Sequence, residues 1–173
     1  MTPRTVGAPG IDPRLARLWP LLLFLLAVLV RLPKLTTIPA PTDEVDELLV
    51  ALTIYRDGAH PLTTSEPYLG PLFVYLLAGA YTLLGPTLTA ARTVALVSSA
   101  LVAPAAAWLG ASVRGPVTGL AAGALALGAF GLVVGGHVAW SHGEAPTLVT
   151  AALACLVLAA HGHRPRLGPS TEP

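Results

Sequence analysis

Charge is what this 173-residue chain has least of: only 11% of its residues are Asp, Glu, Lys or Arg. Globular domains in water carry about a quarter, so this chain cannot cover a water-facing surface in the usual way. Cysteine is nearly absent as well. The single Cys155 excludes an intrachain disulfide, and its place in an apolar run suits a small packing residue. A net charge of +1 with no dense basic cluster excludes a nucleic-acid partner. The chain has no Walker loop, no Rossmann fingerprint and no Ser/His/Asp arrangement, and His60, His137 and His142 lack a metal-ligand spacing.

What is present is apolar length. Hydrophobic residues make up 54% of the chain, and the mean hydropathy is +0.70. The runs are rich in Leu, Ala, Val and Gly without a two-residue alternation, which predicts an all-α integral membrane protein. About four transmembrane helices are expected, with interfacial or re-entrant helices in the first extracytoplasmic loop. The first, over residues 18–35, follows Arg4, Arg14 and Arg17 as a signal peptide would. No small-x-small cleavage site comes after it, only Arg31-Leu-Pro-Lys34, so it is read as a retained helix. The other crossings are expected near 90–111, 116–139 and 145–162. Pro71 to Leu84 is short for a crossing, which takes about twenty residues, and reads as re-entrant or juxtamembrane.

The chain divides accordingly into a cytoplasmic tail over 1–17, a transmembrane module over 18–162 and a polar tail over 163–173. Four crossings put Arg14 and Arg17, Arg114, and Arg164 and Arg166 on one side, as the positive-inside rule requires. His161 and His163 join Arg164 in that cationic end. The loop over 36–66 and the turns at 85–92 and 142–144 then share the opposite, extracytoplasmic side. Gly115, Gly119 and Gly123, then Gly131 and Gly135, recur every four residues, a spacing that lets helices approach closely in lipid.

Acid is scarce, yet Asp43, Glu44, Asp46 and Glu47 crowd the loop after the first apolar run. Charge beside lipid is costly unless the site uses it or water solvates it. Asp43-Glu44 is therefore the sharpest candidate for acid–base work or for holding a divalent cation. The competing reading makes Thr42 or Asp43 a helix cap, with Asp46 and Glu47 favouring the dipole. Leu48, Leu49, Leu52 and Tyr55 form a stripe suited to a helix in the interface plane, stopped by Gly58. Glu144 is a second acid at the start of the last helix, again with a dipole-favouring alternative. Arg31, Arg56 and Arg92 lie near the acid-bearing side, where a guanidinium either pairs with phosphate or snorkels to headgroups; snorkelling suits Arg31 best.

The order of these features resembles the N-terminal part of a GT-C glycosyltransferase, of the protein mannosyltransferase and aminoarabinose transferase kind. The matching elements are Arg31, Asp43-Glu44, the helix ending at Gly58, Gly70-Pro71-Leu72, Leu83-Leu84-Gly85 and Ala91-Arg92, followed by Glu144. They span roughly residues 18–162. Relatives often have His-Pro-Pro-Leu or Lys-Pro-Pro-Leu where this chain has Gly70-Pro71-Leu72, and Asp in place of Glu144. The resemblance implies transfer of a sugar from a polyprenyl-phosphate donor to an extracytoplasmic acceptor at the cell membrane. It implies Asp43, Glu44 and Glu144 as catalytic acids, Arg56 and Arg92 as donor-phosphate ligands, and a divalent metal, Mg or Mn, at Asp43. Family enzymes continue with further helices, so a separate chain supplying them is an expected partner, beside membrane lipids and the lipid-linked donor. The alternative is a non-enzymatic membrane subunit, or an inactive remnant, packing through the Gly-rich helix.

Overall fold

The computed structural model describes residues 15–63 and 70–162. Residues 1–14 of the expected N-terminal tail, and the whole 163–173 tail with His163, Arg164 and Arg166, lie outside it. The described residues are all-helical and contain no strand. In chain order come α1 (Leu15–Arg31), α2 (Thr42–Asp57), α3 (Leu72–Leu84), α4 (Leu88–Ala100), α5 (Val102–Arg114), α6 (Pro116–Gly128) and α7 (Phe130–Gly135). A 3-10 turn at Ser141–Gly143 leads into α8 (Ala145–Gly162).

Of the four expected crossings, one has a helix among the described residues long and apolar enough to cross a membrane. Passing through Leu101, α4 and α5 form this 27-residue stretch, Leu88–Arg114. Pro104 has no N–H to give the Ala100 carbonyl, which accounts for the break at Leu101. The expected crossing at 18–35 ends at Arg31, and that at 116–139 is divided where Ala129 turns extended (ψ 116°), leaving α6 and α7. Helix α3 matches the expected short segment and lies between Pro71 and Gly85.

Two clusters of small and apolar side chains hold the helices together. In one, Phe73, Val74, Leu77 and Tyr81 of α3 pack against Ala51 of α2 and Ala90, Ala91 and Ala95 of α4. In the other, Leu23 and Ala27 of α1 meet Ala100, Ala103 and Ala107 of α4 and α5. The predominance of alanine lets the helix backbones come close. The sequence's glycine spacing is used inside the chain. A Cβ at Gly119 would lie 2.4 Å from the Ala107 carbonyl oxygen, and one at Gly123 2.7 Å from Leu23 Cδ1. Gly119→Val is therefore expected to destabilise the α5–α6 hairpin by about 1–3 kcal/mol through overpacking. Thermal unfolding in detergent checks this, and an unchanged midpoint would contradict the close approach.

Helix α2 buries acids beside part of its apolar face. Its buried residues are Glu44, Glu47 and Ala51, at i, i+3 and i+7, whereas Leu49 is 55% exposed and Tyr55 40%. The leucine stripe foreseen for the interface is divided: Leu49 and Tyr55 face outward, Leu48 and Leu52 pack half-buried against the α3–α4 cluster, and the acids point into the fold. The foreseen stop at Gly58 is present: its φ of 64° is left-handed, and its N–H donates to Ile54 O at 3.1 Å. The foreseen cap is absent. Pro41 is the N-cap residue and no side-chain hydrogen bond caps α2, so neither Thr42 nor Asp43 has that role. Cys155 is exposed on α8 rather than packed, beside a cavity of about 500 Å³ lined also by Trp108 and Pro104.

Candidate functional site

The segments expected to share one side meet. Glu44, one turn into α2, accepts from Arg92 Nε at 2.8 Å through Oε1 and from Arg92 Nη2 at 2.7 Å through Oε2. Both side chains of this pair are 0% exposed. The Ala139 N–H adds a third bond to Glu44 Oε1 at 2.8 Å. Arg92 Nη1 also donates to the carbonyls of Leu35 at 2.9 Å and Ile38 at 2.8 Å. One ion pair therefore joins the segment after α1, the start of α2, the first turns of α4 and the approach to the 3-10 turn. A fork-to-fork guanidinium–carboxylate pair suits such a junction because it fixes angle as well as distance.

A second layer of acid lies beside this pair. Glu47, a turn further along α2, accepts from the Ser141 hydroxyl at 2.7 Å and from the Ser141 N–H at 3.0 Å. Glu144 is 5% exposed and accepts from the Ser98 hydroxyl of α4 at 3.0 Å. Its backbone carbonyl receives the first N–H groups of α8, from Thr147 at 2.9 Å and Leu148 at 3.1 Å. The side chain thus serves the site while the main chain starts the helix. The Thr147 hydroxyl donates to Ser98 O at 2.7 Å and closes α8 onto α4. The Trp140 and His142 rings lie tilted against each other at 48°, with centroids 4.4 Å apart.

Burial is the largest influence on both carboxyls and pushes each above the ordinary carboxylate range. For Glu47 the Ser141 hydrogen bonds and His142 oppose the rise, and Asp43 adds to it. For Glu144 the Ser98 hydroxyl opposes the rise, and Glu47 adds to it. The mutual influence of Asp43, Glu47 and Glu144 makes them one electrostatic group. In the unfolded chain these acids titrate in the ordinary range, so between that range and the raised values the folded chain holds more protons. Stability is therefore expected to be greatest on the acid side and to fall as pH rises through this window. Glu47→Gln and Glu144→Gln should each flatten that dependence in thermal unfolding between pH 4.5 and 7; an unchanged slope in both would refute it.

The residues singled out from sequence take different places. Asp43 is exposed, Glu144 is buried, and Glu44 is enclosed in the Arg92 pair. Arg92 is itself enclosed, so its donors serve the fold instead of facing an open surface. Arg56 is exposed in the last turn of α2. At 1.5 Å per residue it stands about 20 Å from Asp43, too far to share one phosphate with it. Arg31 does not snorkel: it is 0% exposed. Glu47 is the residue sequence reading passed over as a dipole-favouring acid. The signal that marks it is its spacing of three from Glu44, which puts both on one face of a helix.

Among the described residues no group of three or more His, Cys, Asp or Glu side chains comes together to hold a metal ion. The expected Mg or Mn site at Asp43 would thus have one exposed carboxylate, with its neighbours already bonded to Arg92, Ser141 and Ser98. That donor set does not fit a metal held by this chain alone. Comparison with protein-family models, with curated proteins and with solved structures finds no match to this chain.

Proposed function

We propose that this chain is the acid-bearing portion of a membrane-embedded glycosyltransferase that moves a sugar from a polyprenyl-phosphate donor to an extracytoplasmic acceptor. The observation that carries the proposal is the convergence of acids from α2 and from the turn before α8 at one end of an apolar helical fold. The exposed Asp43 is the general base that takes the acceptor hydroxyl proton. The buried Glu47 and Glu144 set the local field, and the Glu44–Arg92 pair positions α2. The membrane reading is supported by the outward apolar surface, including Leu83 at 84%, Phe130 at 82% and Leu125 at 77% exposure. Large apolar exposure of this kind marks a surface that faces lipid or a partner.

Transfer of labelled sugar from a polyprenyl-phosphate donor tests the proposal, with the chain in proteoliposomes alone and together with a companion chain of further helices. Transfer that depends on Asp43 supports it. No turnover with any donor, or turnover indifferent to Asp43→Asn, would leave a non-enzymatic subunit. That second reading has one observation in its favour: Glu44 and Arg92 are saturated by each other and by backbone groups, as a purely structural pair would be.

The topology is tested separately. In a Cys155→Ser background, His60→Cys and Pro86→Cys are expected to be labelled from the same side by an impermeant maleimide, and Arg114→Cys from the other. All three positions are exposed. Labelling of Pro86→Cys together with Arg114→Cys would overturn four crossings.

A further inference from the structure

The two fully buried arginines are satisfied unequally. Arg92 has a carboxylate and two carbonyls. Arg31, also 0% exposed, has no carboxylate partner among the described residues. Its Nη1 donates to Ala27 O at 3.1 Å, its Nε makes a long bond to Leu132 O at 3.4 Å, and its Nη2 has no acceptor. Bonds to main-chain carbonyls within its own helix and on α7 suit a C-terminal capping cation, but they leave a full positive charge and a free donor enclosed. Such a donor is costly in apolar surroundings unless an anionic oxygen reaches it.

We propose that Arg31 is the anion-binding residue of this protein, its Nη2 taking an oxygen of a phosphate group at the junction of α1, α4 and α7. The acids within the fold are committed elsewhere: Glu44 to Arg92, Glu47 to Ser141 and Glu144 to Ser98. The proposed anion is a ligand and not one of these acids. Phosphate fits because a guanidinium presents parallel donors to two of its oxygens. The surroundings are built closely about the side chain. A Cβ at Gly136 would stand 3.1 Å from Arg31 Cδ and 2.4 Å from Ser99 Oγ, so glycine is what lets α7 approach there. His137, the next residue, ties the same junction by contacts to Val133 O at 2.8 Å and Pro33 O at 3.0 Å. Leu32, Pro33 and Lys34 follow Arg31 in an exposed turn. The assignment rests on the transferase reading for the donor as its natural phosphate source, and it replaces Arg92 and Arg56 as the residue that holds it.

Equilibrium binding to the purified full chain in phosphatidylcholine nanodiscs tests this, with inorganic phosphate and undecaprenyl phosphate as separate probes. Saturable binding of at least one probe is expected. Arg31→Met should weaken it at least about tenfold, Arg31→Lys less, and Arg114→Gln, an exposed charge removal, not at all. Met removes the free donor and preserves stem volume, so this variant is expected to fold; the Lys variant provides a second folded comparison. Binding of undecaprenyl phosphate alone assigns a membrane-borne phosphate, and binding of inorganic phosphate assigns the phosphate group itself. No saturable binding, or equal binding by wild type and Arg31→Met, would overturn the proposal and leave Arg31 a capping residue. The readout is binding, so a failure of sugar transfer leaves it untouched.

Discussion

Replacing Arg92 with methionine is expected to destabilise the fold by about 3–5 kcal/mol, the usual consequence of leaving one member of a buried ion pair without its partner. Glu44 would keep only the Ala139 N–H, and the carbonyls of Leu35 and Ile38 would lose their donor. Four segments of chain meet at this pair, so the loss is global and not confined to α2. The double variant Glu44→Met, Arg92→Met removes both charges. It is expected to recover most of the stability, since apolar groups of similar volume often substitute for a buried pair at little cost. Denaturant or thermal unfolding in detergent distinguishes the two. If single and double variants lose equally, the pair acts through packing and its charge is immaterial.

The largest effect on activity is expected at Asp43. Asp43→Asn should lower transfer by roughly 10²–10⁴, the range for removal of a positioned acid–base group. Its stability should stay within about 0.5 kcal/mol of wild type, because the side chain is exposed and caps nothing. The absence of a cap bond sharpens this test. Were Asp43 a cap, Ala would cost about 1 kcal/mol and Asn nothing; here both substitutions are expected to be structurally mild and both catalytically severe. A transfer rate equal to wild type in the reconstituted Asp43→Asn protein would remove Asp43 from the chemistry. The base would then have to be sought at Glu47, whose raised pKa and interaction with Asp43 make it the next acid in line.

Composition and periodicity alone settled that this chain is helical and apolar. Long apolar runs without alternation pointed to helices, and Gly58, Gly85 and Pro71 mark helix ends that the fold uses. The sequence also placed Asp43, Glu44, Arg92 and Glu144 in segments sharing one side, and three of those segments do meet. Their pairing was beyond its reach. Contacts between Glu44 and Arg92 or Ala139, separated by 48 and 95 positions, depend on how three helices stack. The same stacking decides which face of α2 is inward. Hydrophobic periodicity assigns the leucines to the buried side by default, yet on α2 Glu44 and Glu47 bury more deeply than Leu48 and Leu52 because Arg92 and Ser141 receive them. Arg31 is the clearest case. In the sequence it is one more arginine at a helix end, and only packing by α4 and α7 encloses it with a donor unpaired. Local chemistry writes the elements of this protein, while the satisfaction or frustration of its buried charges is a property of tertiary structure alone.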